Sequence, residues 1–194
     1  MTVRELPRDA RPTMTKPPLR VRIAKLQDTQ IDSVVSIDLA CKQLMQRAGV
    51  PASELPARGL AGIAKLTKVH NVLVADADGT VAGYAAWRDE SPGVAYLEEL
   101  AVKPELQRLG IGTRLLDAVR EEARAVSLPI LVTRCWAKAA RGKALLEKAG
   151  FALLSGESGQ RAQRWREEQE NARTPGEESA LAKEGQVVMV QSLL

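Results

Sequence analysis

Apolar and polar positions alternate first in LRVRIAKL, where Val21 and Ile23 are spaced among Arg20, Arg22 and Lys25. That period of two predicts a half-buried strand over Leu19 to Leu26. The period then lengthens: Ile31, Val34, Val35, Leu39, Leu44 and Met45 follow helical spacing as far as Gly49, with Asp28 offering a cap ahead of them. PARGLAGIAKLTKVH predicts a second helix. NVLVADADGTVAGYAAW returns to short apolar runs around Asp78 and Gly79, and an Asp-Gly pair so placed predicts a hairpin because both residues tolerate positive φ. A third strand covers Val94 to Val102. The most regular helix follows, with Ile111, Leu115, Leu116, Val119, Ala123 and Val126 on one stripe and Arg114, Asp117, Glu121 and Arg124 largely opposite. LPILVTRCW is continuous and apolar, suited to a strand covered on both faces. AARGKALLEKAG reads as a short helix with Gly150 as a left-handed stop, and FALLS and QVVMVQSLL read as the last strands.

Two stretches fall outside this pattern. Residues 1–18 hold four prolines among alternating charges, which predicts a loosely held tail. The remainder, 19–194, reads as a single domain with a polar insertion at about 156–185, where RAQRWREEQENAR could form a surface helix anchored by Trp165. The chain of 194 residues, 45% hydrophobic and 27% charged, is long enough for one sizeable core.

Charge narrows the partners. The net charge of +4 comes from 28 basic and 24 acidic residues that are interleaved, and aromatics make up only 3%. Such a surface argues against nucleic acid, whose sites gather cations and stacking rings, but favours a small anionic ligand. Cys41 and Cys135 stand far apart, in no metal-ligand spacing, which suggests a reduced compartment and no metal. No apolar run suits a signal peptide or a membrane span, so the reading is cytoplasmic with no membrane partner.

Gly110 and Gly112 sit where a strand and turn lead into the regular helix. Glycine costs about 1 kcal/mol against alanine inside a helix, so its use there points to another demand. A helix N-terminus presents backbone N–H groups without intrahelical partners, and the macrodipole adds about half a positive charge, which together suit phosphate oxygens. Gly110 and Gly112 therefore read as a pyrophosphate seat, with Gln107 and Arg108 on its rim and the Thr113 hydroxyl as a further donor. The dinucleotide pattern G-x-G-x-x-G fails because Leu115 occupies its third glycine position, and no Gly-Lys-Ser/Thr is present for a P-loop.

QRLGIG, Gln107 to Gly112, matches Q/R-x-x-G-x-G/A, and the chain resembles the GNAT superfamily of N-acetyltransferases. LEELAVKPELQRLGIGTRLLDAVREEAR and ALLEKAGF are similar to the strand, loop, helix and later helix-to-strand segments of that superfamily. The resemblance implies an α/β fold with a mixed, splayed sheet of about six to seven strands flanked by helices. It implies acetyl-CoA in the wedge between the strands at Val94–Val102 and Ile130–Cys135, with the backbone of Leu100, Ala101 and Val102 pairing with the pantetheine arm. Gln107, Arg108, Leu109, Gly110, Ile111, Gly112 and Thr113 would hold the pyrophosphate.

The partners so implied are acetyl-CoA and an amine acceptor, with a non-catalytic acyl-CoA-binding module as the alternative reading. An amine of pKa near 10 must lose a proton before it attacks, which needs a carboxylate nearby. Glu98 is the candidate base; Glu99 points to the other face of a regular strand, and a bulge would exchange the two. The superfamily's tyrosine acid is replaced by Leu146, and Tyr84 and Tyr96 read as packed strand residues. His70 reads as a helix-end or loop residue, with the acceptor site as its alternative, Cys135 has no evident base, and Trp87 and Trp136 suit the core, with the acceptor cavity as their alternative. The final strand could support a homodimer.

Overall fold

The computed structural model describes residues 19–91, 93–153 and 186–193. The expected tail, the insertion at 156–185 and Trp165 lie outside these residues.

Strand β1 (Val21–Lys25) is followed by helices α1 (Ile31–Arg47) and α2 (Leu60–Val69). Strands β2 (Asn71–Ala77), β3 (Thr80–Ser91) and β4 (Val94–Val102) then form an antiparallel meander. Asp78 and Gly79 make the two-residue hairpin turn with φ of 51° and 85°, as the Asp-Gly pair requires. Helix α3 (Ile111–Ala125) carries the chain to β5 (Ile130–Trp136), which pairs parallel with β4. Helix α4 (Ala140–Lys148), β6 (Ala152–Leu153) and β7 (Gln186–Ser192) complete the described fold. Among the described residues seven strands run in the order β1-β2-β3-β4-β5-β7-β6, a mixed open sheet with helices on both faces.

Each face has its own apolar layer. Ile111, Leu115, Leu116, Val119 and Ala123 of α3 pack with Leu73, Ala85, Leu97 and Leu131 of the sheet. Val34 and Ile37 of α1 and Ile63 and Leu66 of α2 pack with Val72, Val74, Tyr84 and Ala86 on the other. Each fully buried aliphatic side chain contributes about 1.5–3 kcal/mol, so these stripes hold the helices that frame the site.

Three expectations shift. Val126 follows the end of α3 and is exposed, because the chain turns there rather than completing the stripe. Asp28 lies in a short 3-10 turn ahead of α1, where Gln27 and Gln30 cap each other instead. The buried side of α1 is also rotated from the expected stripe: Leu39 is 45% exposed, whereas Asp38 and Lys42 are 2% and 7% exposed. A charged pair four residues apart has displaced a leucine from the interior.

Candidate active site

Strands β4 and β5 pair from Val94 with Ile130 to Leu97 with Thr133, and no further. Beyond that point β4 follows β3 to Val102 and β5 follows β7 to Trp136. The Thr133 hydroxyl donates to the Leu97 carbonyl at 2.9 Å, closing the pairing where the strands part. Leu100, Ala101 and Val102 therefore lie on a stretch of β4 without a β5 partner. The Val102 carbonyl accepts from Gln107 Nε2 at 3.1 Å and from Cys41 Sγ at 3.3 Å. Burial pushes the Cys41 thiol up to about 11, so it is a donor here and not a nucleophile. Gly83 sets the other wall: a Cβ there would stand 2.6 Å from the Ala101 carbonyl oxygen, so only glycine lets β3 approach β4 this closely.

At the far end of β4 the chain turns through Pro104–Leu106 and reaches Gly110, the residue that begins α3, with φ of 80°. The first helical bond runs from Arg114 N–H to the Gly110 carbonyl at 3.1 Å. Among the described residues no acceptor meets the N–H groups of Ile111, Gly112 or Thr113, and no side chain caps the helix. The two glycines have separate reasons. Among the described residues a Cβ on Gly110 would meet nothing within 4 Å, so its left-handed φ is the requirement and the space before it is open. A Cβ on Gly112 would stand 3.0 Å from Leu145 Cδ2, so its bareness lets α4 pack on the first turn of α3. Arg108 also has a positive φ, 66°, and Leu109 is exposed beside the opening.

Between the parting point and this mouth lies a bulge. Ala86 pairs with Glu99 and Trp87 with Leu97, leaving Glu98 as the extra residue of β4. The bulge does not exchange the two acids; it brings both to one guanidinium. Arg58 Nη2 donates to Glu98 Oε1 at 3.1 Å and to Glu99 Oε1 at 2.9 Å, and Arg58 Nε donates to Glu99 Oε1 at 3.2 Å. Burial pushes the Glu99 carboxyl up, opposed by Arg58 and Lys42. Glu98 also faces Arg88 Nη1 at 3.5 Å and Arg134 Nη2 at 3.9 Å, both through Oε2. Arg88 and Arg134 lie over the Tyr96 ring, 4.9 and 5.5 Å from its centroid, and Arg134 Nε meets the Tyr96 hydroxyl.

His70 ends α2, as expected, and joins this network. Its Nε2 lies 2.7 Å from Arg88 Nη1. A guanidinium only donates, so Nε2 accepts and Nδ1 carries the proton, donating to the Leu66 carbonyl at 3.2 Å. Burial, then the Arg88 charge, holds the imidazole below its ordinary value.

Tyr84 and Tyr96 are fully buried, and burial pushes both phenols up. Leu146, in place of the superfamily's tyrosine, packs in the apolar layer with α3. Trp87 is a core residue whose indole donates to Glu122 Oε2 at 2.8 Å. Cys135 is buried, with its thiol pushed up by burial. Among the described residues, two shallow cavities of about 190 and 280 Å³ lie away from the parted strands, and His70 and Glu122 line the smaller.

Arg58, Arg88, Arg134, Asp38 and Lys42 escaped the sequence reading because tertiary contact alone assembles them. One signal was present: Asp38 and Lys42 stand four apart, on the helical face that also carries Val34 and Cys41.

The geometry fits an extended thioester carrier with a diphosphate: parted strands for its arm, and acceptor-free amides with open space before Gly110 for its phosphates. Residues 41–151, more than half of the chain, match the acetyltransferase (GNAT) family, and the chain belongs to that family. Its chemistry is acetyl transfer from acetyl-CoA. The fold is similar to that of PaiA N-acetyltransferase from Thermoplasma acidophilum in complex with coenzyme A, with a TM-score of 0.67 and 16% identity over 89% of this chain and 99% of that one. It is similar also to ribosomal-protein-S18-alanine N-acetyltransferase from Escherichia coli, with a TM-score of 0.62 and 18% identity over 90% and 94% of the two chains. A GNAT acetyltransferase from Staphylococcus aureus Mu50 matches with a TM-score of 0.65 and 13% identity over 90% of this chain and all of that one. No curated protein sequence matches the chain. Among the described residues no helix is long and apolar enough to cross a membrane, and no cluster of three or more His, Cys, Asp or Glu could hold a metal ion.

Proposed function

We propose that this protein moves the acetyl group of acetyl-CoA to a primary amine of a small molecule or a protein by direct attack, with Glu98 taking the amine proton. One observation carries this reading. The β4–β5 pairing ends at Leu97, one residue before Glu98, and the same length of β4 leads to the acceptor-free amides of α3. In this reading the backbone of Leu100, Ala101 and Val102 aligns the pantetheine arm. Gln107, Arg108, Leu109, Gly110, Ile111, Gly112 and Thr113 hold the pyrophosphate.

Acetyl-CoA supplies an acetyl group on a thioester, whose sulfur leaves as a thiolate that the displaced amine proton balances. Glu98 accepts that proton directly or through one water, turning an ammonium into the neutral amine that can attack. No tyrosine stands at Leu146 to protonate the thiolate, so that proton comes from solvent or back from Glu98.

Calorimetry with acetyl-CoA, then thiol release across an amine panel, tests the reading. Glu98→Gln should lower kcat by about 10²–10⁴-fold and move the alkaline optimum, while acetyl-CoA affinity stays as in the parent. Equal activity of variant and parent at every pH would reject Glu98 as the base. Tight binding without thiol release from any amine would leave the binding-module reading in its place.

A further inference from the structure

Two adjacent carboxylates on one face repel each other, and β4 places Glu98 and Glu99 there without a residue between them. Arg58 meets both, but unequally. Glu99 Oε1 takes two of its donors, at 2.9 and 3.2 Å, which fixes the plane of the guanidinium. Glu98 receives the remaining reach of Nη2 through Oε1 at 3.1 Å. Glu98 Oε2 has no partner closer than Arg88 at 3.5 Å and Arg134 at 3.9 Å. Those two cations are engaged elsewhere, Arg88 by Glu90 and His70 and Arg134 by Tyr96. Glu98 Oε1 is therefore held closely, whereas Oε2 makes only the long contacts to those two cations, which a closer incoming donor can replace.

Arg58 is itself anchored from behind. Its backbone N–H donates to Asp38 Oδ2 at 2.9 Å. Asp38 is fixed in turn by Lys42 Nζ on Oδ2 at 2.9 Å and by the Tyr84 hydroxyl on Oδ1 at 3.1 Å. Lys42 also donates to the Pro56 carbonyl at 2.7 Å, so the α1–α2 loop is tied down two residues before Arg58 as well as at it. Both members of this pair are buried, and a buried pair breaks only at high cost, which makes it a stiff support.

We propose that Arg58 is the positioning residue of Glu98: anchored by the Asp38–Lys42 pair and oriented by Glu99, it holds Glu98 Oε1 so that Oε2 points to the acceptor amine. The proposal rests on the reading of Glu98 as the base. Arg58 touches neither the amine nor the thioester in this scheme and acts only through the carboxylate.

The test uses the full chain with acetyl-CoA and a fixed panel of ethanolamine, L-lysine, spermidine and a peptide with a free N-terminal alanine. Parent, Glu98→Gln, Arg58→Met and Arg58→Lys are compared for kcat, both KM values, the pH–rate profile and Tm. Arg58→Met should lower kcat by about 10²-fold, the cost of a misplaced reacting group, displace the pH profile, and leave the KM for acetyl-CoA within about twofold of the parent. Arg58→Lys should restore part of the rate, since a point charge can neutralise the two acids but cannot span them in a fixed plane. If Glu98→Gln loses its rate while Arg58→Met keeps the parental kcat and profile with only a lower Tm, Arg58 is merely structural and the inference is overturned alone. If Glu98→Gln is as active as the parent, or the parent releases no thiol from any of the four amines, the reading of Glu98 fails and takes the inference with it. Should Arg58→Met fail to fold, Arg58→Lys decides: a parental kcat and profile would overturn the proposal, and a reduced kcat with a displaced profile would support it.

Discussion

The mouth of α3 and the bulge of β4 lie at two ends of one short length of chain and are built in opposite ways. The mouth is made of backbone: a left-handed Gly110 and, among the described residues, three N–H groups without acceptors and open space where a side chain would be. The bulge is made of side chains drawn from α1, the α1–α2 loop, β3, β4 and β5, each holding another. A site of bare amides can bind a charge with few side-chain partners, because the helix supplies both donors and field. A site of mutually paired charges has to be supported throughout, since removing one partner strands the rest.

If this contrast holds, damage at the bulge should fall on stability and rate, and damage at the mouth on cofactor affinity. The largest expected effect is that of Asp38→Ala, which strands Lys42 and unties Arg58 and Tyr84; denaturant unfolding should report a loss of about 3–5 kcal/mol. Replacing both members, Asp38→Leu with Lys42→Met, should cost less than Asp38→Ala, and a double variant no better than the single one would contradict a buried-pair origin.

Gly110→Val comes next. Forcing a β-branched residue to positive φ costs about 1–3 kcal/mol and should weaken acetyl-CoA binding by calorimetry at least about tenfold, because the turn that aims the amides relaxes. Gly110→Asn, which tolerates left-handed φ, should retain most of the affinity. Similar losses for Asn and Val would mean that bulk, not backbone conformation, is what Gly110 avoids.

The smallest effect concerns His70. Its folded imidazole protonates below the ordinary value of 6.5, so as the pH falls the unfolded chain binds that proton first. Stability from the neutral ring is fully present above about 6.5 and declines as the pH drops through the folded value. Tm measured from pH 7.5 to 5 should therefore fall less steeply for His70→Gln than for the parent; parallel curves would show that the ring carries no such penalty.

The same contrast explains what could be read in advance. Element order, the Asp78–Gly79 hairpin, the stripe of α3 and the glycine-bearing mouth are local in sequence, and each follows from periodicity or from φ. The resemblance marks Glu98 as the candidate base but reveals nothing of its surroundings. Arg58 stands 40 residues before Glu98, and nothing near Pro56 signals which carboxylate it will meet. Helix α1 shows the same limit: its apolar periodicity gives the helix and the buried Val34, but not the rotation of its buried side, because the contacts that bury Asp38 and Lys42 come from Pro56, Arg58 and Tyr84, far along the chain.

One feature of the sheet bears on the opening between β4 and β5. Seven residues of β5, from Ile130 to Trp136, are bonded along their other edge to β7, and Arg124 of α3 grips the Leu193 carbonyl at 2.8 Å just past that strand. The carboxyl-terminal strand thus acts as a door jamb. Its pairing holds the far edge of β5, the strand that lines one side of the gap, so the opening is framed by a strand outside it.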